Sequence, residues 1–428
     1  MRTILIVTDA YPPQPLVGAL RPAGLEKYLP EFGWKCIVLT PAYENREPAC
    51  NVIETPYRDN LEVWKSRLGL KGNFSLHKQL NVSPETVWGR QSLPSKVITF
   101  TRNLMGGFPD DRSGWLPFAL SAAMPVIVEK KIDAILSTAL PMTCHRIAAR
   151  LQDKAKVPWV ADYRDLWNVD QNTLENRTGL LGAFHRLYEK RLLSKASAIT
   201  SVSSIMAEEL AKYERPVESI ENGFDEQSYP DPQPTPDALF TIVHTGQLYS
   251  GRRNPRILFE GIAELILEQR INRSRVRVRF YGPTTGFELS MIAELQLEDV
   301  VEFCGVKPRP ECLEAQRRAQ ILLLLTWSTD TSAWVIPAKL FEYLGSRRPI
   351  LMVGGSQKGA ANAILKETNA GNFVEKKDTL KRSLMDAYLQ FESTGEVSYA
   401  GRADRILQYS QRNMARRFAK LLDKVTTK

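Results

Sequence analysis

Residues Ile321 to Gly355 read ILLLLTWSTDTSAWVIPAKLFEYLGSRRPILMVGG. An uncharged apolar run, a polar loop, a helix beginning near Pro337 and a second apolar run leave few folds open. Neither run alternates with polar residues, so both read as strands buried on two faces, the situation of a parallel sheet covered by helices. Pro337 suits the first helical turn, where its missing N–H leaves nothing unpaired. Lys339 and Glu342, three residues apart, fall on one face of the helix. Free amides at a helix start with a cation beside them form an anion pocket. Glu342 can accept hydrogen bonds from neutral hydroxyls. Together they suit a sugar nucleotide, although an α/β unit whose polar helix face is merely solvated explains the stretch equally well.

At 428 residues the chain exceeds one comfortable core, and its 43% hydrophobic content can fill two. The 57 basic and 48 acidic residues leave a charge of +9, which favours an anionic partner. The five cysteines (Cys36, Cys50, Cys144, Cys304, Cys312) include no CxxC pair, so neither a disulfide framework nor a metal site is expected, and a reducing cytoplasm fits best. Met1-Arg2-Thr3 runs straight into a strand-like segment, so no signal peptide is expected. The uncharged run Trp115 to Val128 is too short to span a bilayer and contains Pro117 and Pro125.

Strand-like runs recur at Thr3–Asp9, Cys36–Pro41, Ala134–Ala139, Trp159–Arg164 and Ile199–Ser203, with helical patterns at Arg21–Phe32, Thr143–Gln152 and Leu180–Ala196. The proline-rich DPQPTPD at 231–237 punctuates the chain. Alternation restarts with strands at Phe240–Leu248, Val276–Tyr281, Val300–Cys304, Ile321–Trp327 and Pro349–Val353, and helices at Pro255–Gln269, Arg309–Ala319 and Pro337–Gly345. The expected fold is α/β: two Rossmann-like doubly wound domains facing a central cleft. Residues 1–225 would form the first domain, 226–400 the second, and 401–428 a C-terminal helix returning to the first.

A basic and aromatic insert at 58–112 breaks the pattern. Arg58 to Arg102 holds eight Lys or Arg against three acids, with Trp64, Phe74, Trp88 and Phe100 interspersed. It suits an anionic membrane surface as well as it suits a solvated surface insert. No recognition motif accompanies the charge, which argues against nucleic acid.

The first βα turn, TDAYPPQPLVGALRPAGL, lacks GxGxxG, so a dinucleotide is not indicated. Gly18 could let backbone approach a ligand, though ordinary turn chemistry accounts for it too, and Arg21 would point into the cleft. ADYRDLW places Asp162, Arg164, Asp165 and Trp167 at or beyond a strand's C-terminal end, the ligand edge of such sheets; a structural Arg–Asp pair is the simpler alternative. In TGQLYSGRRNP, Gly246 and Gly251 precede Arg252 and Arg253 at a helix start, a pattern that suits a diphosphate clamp or simply two surface arginines. His145 is the histidine nearest a sheet edge and suits a structural or supporting role.

These segments, in this order, resemble a glycosyltransferase of the two-Rossmann-domain (GT-B) type, close to family 4 of the retaining enzymes. The resemblance runs through ILIVTDAYPP, Asp162–Trp167, ENGFD (Glu221–Asp225), TGQLYSGRR, FYGP (Phe280–Pro283), FCGVKPR (Phe303–Arg309) and PAKLFEY (Pro337–Tyr343), nearly the whole chain. It implies a donor site in the second domain made of Gly246, Arg252, Arg253, Gly282, Gly305, Val306, Trp334, Lys339 and Glu342, with Gly18 facing it from the first. Arg253 would grip the diphosphate, Glu342 the ribose hydroxyls, and the 305–306 loop the base. Arg164 and Asp165 would join Arg253 in catalysis, with Arg21, His145 and Asp162 supporting the acceptor side. The family has a second acid eight residues before the one matching Glu342; here that position is Trp334. No metal or cofactor is implied.

The function implied is retaining transfer from a nucleotide sugar, with UDP as the commonest base, to a lipid-linked (polyprenyl) or surface-glycan acceptor in polysaccharide biosynthesis. Such an enzyme would be cytoplasmic, peripheral on the inner face of the plasma membrane. A nucleotide-sugar 2-epimerase and an inactive sugar-nucleotide-binding scaffold remain as alternatives.

Overall fold

In the computed structural model the described residues are 1–44, 47, 49–60, 108–169, 179–249, 251–284, 286–327 and 333–427. The greater part of the insert at 58–112 therefore lies outside the described residues. Among those described, the strands form two sheets, one of seven and one of six, paired in parallel throughout.

The first sheet comprises β1 (Arg2–Val7), β2 (Trp34–Pro41), β3 (Val52–Thr55), β4 (Ala134–Ala139), β5 (Trp159–Tyr163), β6 (Ala198–Ser201) and β7 (Val217–Ser219), in the order β3-β2-β1-β4-β5-β6-β7. Its helices are α1 (Leu20–Tyr28), α2 (Leu116–Glu129), α3 (Thr143–Ala155), α4 (Gly179–Leu193) and α5 (Ser204–Leu210). The second sheet comprises β8 (Phe240–Thr245), β9 (Val276–Tyr281), β10 (Val301–Gly305), β11 (Ile321–Leu325), β12 (Ile350–Val353) and β13 (Gly371–Val374), in the order β10-β9-β8-β11-β12-β13. With it run α6 (Arg256–Leu267), α7 (Gly286–Glu294), α8 (Arg309–Arg318), α9 (Ala338–Ser346), α10 (Ala360–Thr368), α11 (Lys377–Thr394), α12 (Ala403–Ile406) and α13 (Gln411–Thr426). Both sheets reverse direction beside their first strand, between β1 and β4 and between β8 and β11. Such a reversal opens a crevice at the strands' C-terminal ends.

The uniform apolar runs are explained by burial on both faces. Leu323 and Leu325 join one apolar cluster while Leu322 and Leu324 join another across the sheet. In the first sheet Leu5 and Val7 face one cluster, Ile4 and Ile6 the other. The expected strands and helices are present with ends shifted by a few residues; Pro337 caps α9 rather than lying in its first turn. Strands β3, β7 and β13 lie outside the expected set. Each has four residues or fewer, with β3 and β13 of mixed burial and β7 half-buried throughout, so none carries a clear apolar period. The run containing Pro117 and Pro125 forms α2, which buries Ala119, Ala123 and Ile127 at four-residue spacing. Among the described residues no helix is long and apolar enough to cross a membrane.

The chain's last helix packs against its first. Phe418, Ala415 and Leu422 of α13 share a cluster with Leu25 and Tyr28 of α1. The ENGFD segment fastens this junction: Asn222 Oδ1 accepts from Arg21, Asp225 accepts from Lys27 (2.7 Å) and Tyr28 (2.5 Å), and Glu221 pairs with Arg417 at 2.7 Å.

Candidate active site

At the C-terminal edge of the second sheet the turns leaving β8, β9 and β10 are stitched together. The amide of Gly246 donates to Tyr281 O (2.8 Å) and that of Gly282 to Gly305 O (2.9 Å). A Cβ on Gly282 would lie 2.3 Å from Gly246 O, so only glycine lets these turns meet. Val306, just beyond, is exposed.

Next to these turns is a cavity of about 330 Å³ between the segments following β8, β11 and β12. Tyr249, Arg252, Arg253, Trp327, Pro337, Ser356 and Gly359 are among the residues that line it. Pro337 and Gly359 are the N-caps of α9 and α10, and neither helix has a side-chain cap, so two positive helix ends border the space. Arg252 lies over the Trp327 ring at 5.2 Å and Arg253 over the Tyr249 ring at 4.8 Å.

Arg253 donates to Gln247 O at 3.2 Å, while its buried Nε has no acceptor, and no carboxylate pairs with it among the described residues. Burial pushes its pKa below the usual arginine value, partly countered by Tyr249 and Tyr343. A half-buried cation without a counter-charge is costly alone and favourable once an anion arrives. Behind it His244 is buried, bonded through Nδ1 to Leu323 O at 2.9 Å and lowered to about 4 by burial and by the cations Arg253 and Lys339. It is therefore neutral and adds no competing charge.

Lys339 and Glu342 sit on the flank of this patch. Lys339 Nζ donates to Glu342 Oε2 at 2.9 Å, Gln316 reaches the same oxygen at 3.3 Å, and Arg309 reaches Oε1 at 3.4 Å. Burial works to raise the Glu342 pKa, but Lys339 and Arg309 hold it below the ordinary value, so it is ionised. Lys339 also borders Gly246, whose Cβ would lie 3.7 Å from its Cε.

In the first domain the ends of β1, β4 and β5 bring Arg164 beside Asp9 and Asp165. Arg164 donates to Ala139 O at 3.3 Å and to Leu140 O, and its charge acts on both carboxyls. Asp165 has no hydrogen-bond partner among the described residues; burial raises its pKa to about 6 against the pull of Arg164. Asp9 is likewise raised by burial, opposed by Arg112, which pairs with it at 3.1 Å, and by Arg164.

The structure departs from four expectations, those for Arg21, Asp162, Gly18 and Trp334. Arg21 does not point into the cleft: it is buried and bonded twice to Asp162 at 2.8 Å, and to Ile220 O at 2.8 Å. Asp162 is thereby committed beneath the sheet edge instead of facing an acceptor, with Thr200 donating to it at 2.7 Å. Gly18 is empty-sided to admit Arg164, whose Nη1 would lie 1.8 Å from a Cβ there. His145 is fully buried, bonded to Ser137 at 2.8 Å and packed on Tyr163 with ring centres 4.8 Å apart, with burial lowering its pKa to about 3. Trp334 is not among the cavity-lining residues, although its neighbours Ala333 and Val335 are. At 9% exposure it joins the first domain's cluster with Met142, Tyr163 and Trp167, so the loop after β11 bridges the two domains.

Asp9, Arg112, Tyr249, Trp327 and Ser356 were not among the residues expected. The Gly354-Gly355 turn after β12 was the available signal for the cavity's far wall. Among the described residues no group of three or more His, Cys, Asp or Glu could hold a metal ion.

Two parallel Rossmann-like sheets, with an anion-ready strand edge in the second, define a GT-B architecture. The model of Glycosyltransferase Family 4 matches residues 23–228. Among solved structures, sucrose-phosphate synthase from Thermosynechococcus elongatus superposes with a TM-score of 0.61 at 12% identity over 100% of both chains. Anabaena HepE, solved in complex with UDP and glucose, gives 0.60 at 14% identity over 99% of this chain and 100% of that one. A UDP-forming trehalose-phosphate synthase from Burkholderia xenovorans gives 0.58 at 12% identity over 100% of both. No curated protein matches the sequence. The chain thus has the GT-B fold, and its residues 23–228 are similar to Glycosyltransferase Family 4.

Proposed function

We propose that the protein is a glycosyltransferase that moves a sugar, with retention of configuration, from a UDP-sugar to a lipid-linked or surface-glycan acceptor. The observation that carries the donor site is Arg253: a half-buried cation with no carboxylate partner among the described residues, beside two uncapped helix starts. In this reading residues 226–400 hold the donor, residues 1–225 the acceptor, and 401–428 tie back to the first domain. Arg253, with Arg252, takes the diphosphate. Glu342, ionised and fixed by Lys339, accepts from the ribose hydroxyls, which requires Arg309 to yield its 3.4 Å contact. The turns at Gly246, Gly282, Gly305 and Val306 border the base.

As the bond from the sugar to the diphosphate breaks, negative charge builds on the leaving oxygen, where Arg253 and the helix amides stabilise it. That oxygen takes the acceptor proton as the new bond forms on the same face. Arg164 and Asp165 approach the transferred sugar from the first domain. That HepE binds UDP and the Burkholderia synthase forms it supports the choice of base.

Calorimetry with UDP, GDP and ADP tests the donor site. UDP is expected to bind selectively, with a loss of at least about tenfold in Glu342→Ala from the lost charge-assisted bonds to the ribose. No binding of any of the three by wild type would sink the assignment. The active form of Asp165 is taken as the carboxylate, so kcat/KM should rise with pH through about 6 and level above it. A profile whose acid limb persists unchanged in Asp165→Asn would remove Asp165 from the site. One observation favours a second reading, a donor-binding scaffold without turnover: Trp334 stands where the family has an acid and is packed away from the cavity. UDP-sugar binding without UDP release under any acceptor would select it.

A further inference from the structure

Helix α4 carries apolar side chains outward as well as inward. Leu180, Phe184 and Leu187 are 92%, 54% and 67% exposed. Spaced four and then three residues apart, they form one outward apolar stripe. Inward, Leu192 and Leu193 join the first domain's core, Phe184 leans its ring on Phe108 with centres 5.2 Å apart, and polar and ring contacts fasten the rest. Buried Glu189 accepts from Tyr163 at 2.8 Å and also from Asn168 and Tyr213, while buried His185 stacks on Trp167 with ring centres 4.6 Å apart. A surface helix ordinarily turns its apolar side to the core, so an outward stripe on a well-anchored helix calls for an apolar neighbour.

The surrounding charge says which. Arg186, Lys190 and Arg191 of α4 are exposed, and the helix's one acid, Glu189, is buried in the network above. On the adjoining α3, Arg150 is exposed and Arg146 half-buried, both near enough to Tyr188 of α4 to act on its hydroxyl. Leu and Phe side chains flanked by cations match the layered chemistry of an anionic bilayer, with apolar groups below the headgroups and Lys and Arg at phosphate level. The stripe is three side chains long, small beside the roughly 800 Å² per partner of a specific protein interface.

We propose that α4 docks the enzyme on an anionic lipid surface, with Leu180, Phe184 and Leu187 entering the headgroup layer and Arg186, Lys190 and Arg191 meeting lipid phosphates. The proposal rests on the lipid-linked acceptor reading for its purpose, and on the geometry of α4 for its evidence. Docking here would carry the first domain's cleft to acceptors held in the membrane.

The test is co-sedimentation of the full chain with phosphatidylcholine vesicles, with and without about a third phosphatidylglycerol. Binding is expected only to the anionic vesicles, weakened by salt, and reduced about tenfold in Phe184→Ser/Leu187→Ser. Lys190→Glu/Arg191→Glu should lose it to a similar degree. Circular dichroism should show all variants folded, because each substituted side chain is exposed. Three results would overturn the proposal: no vesicle binding by wild type, binding unaffected by both double variants, or a wild-type dimer that Phe184→Ser/Leu187→Ser dissociates, which would make the stripe a protein interface. UDP affinity measured on the same variants separates this from the donor-site reading: docking without UDP binding would remove the latter alone.

Discussion

Arg253→Ala is expected to lower kcat at saturating UDP-sugar by about a hundred- to a thousandfold, the range seen when one preorganised group is taken from a developing oxyanion. Arg253 borders the cavity, contacts Gln247 O and the Tyr249 ring, and has an unpaired buried Nε. The folded protein has already borne the cost of desolvating this cation, so the interaction is available to the reaction without reorganisation. Removing it also relieves that desolvation, so the variant should be no less stable than wild type. Arg253→Lys should recover only part of the rate, because an ammonium cannot present the planar fork to two phosphate oxygens. The measurement is UDP release with acceptor present. Turnover within a factor of about two of wild type would show that the leaving group is stabilised elsewhere.

The largest loss of stability is expected from Arg21→Met. It strands Asp162 in a fully buried site, and breaking a buried pair by removing one partner costs about 3–5 kcal/mol. Arg21 also carries bonds to Ile220 O and Asn222 and lies 5.0 Å from the Phe418 ring, so the contact between α1 and α13 should loosen as well. The pH dependence has a definite sign. In wild type, burial tends to raise the Asp162 pKa, but Arg21 and the Thr200 bond hold it below its ordinary 3.8. Its contribution is therefore complete above that value and lost as pH falls through the lower folded value. Without Arg21, burial outweighs the remaining Thr200 bond and the carboxyl's folded pKa rises, so the deficit should be greatest at neutral pH and shrink as pH falls toward about 5. Urea denaturation at both pH values measures it. Arg21→Met with Asp162→Leu should regain part of the loss, since no charge is then stranded. A deficit that stays constant with pH would mean that packing, rather than the uncompensated carboxylate, dominates.

Much of the architecture is legible along the chain because burial on both sheet faces leaves no polar alternation. ILLLL at β11 and ILIV at β1 can only be interior strands, and their alternation with helical periods calls for two doubly wound sheets. Strands β3, β7 and β13 are too short and too little buried to show a period. Their existence depends on a neighbouring edge being available to pair with.

At the site, residue type carried part of the information and neighbourhood the rest. The paired arginines after β8 and the Lys339/Glu342 spacing on α9 are local, so their chemistry could be read directly. What each charge meets depends on contacts far apart in sequence. Arg21 and Asp162 are 141 residues apart, and their pairing takes both out of the cleft. Gly18 serves Arg164 because the turn after β1 and the end of β5 converge. Trp334 turns into the other domain's core while Ala333 and Val335 on either side line the cavity. Periodicity and turn chemistry are properties of neighbouring residues, so the sequence alone determined the interior strands and, to within a few residues, the helix starts. Burial and counter-charge are properties of space, so only the tertiary structure decided which cations were left without partners.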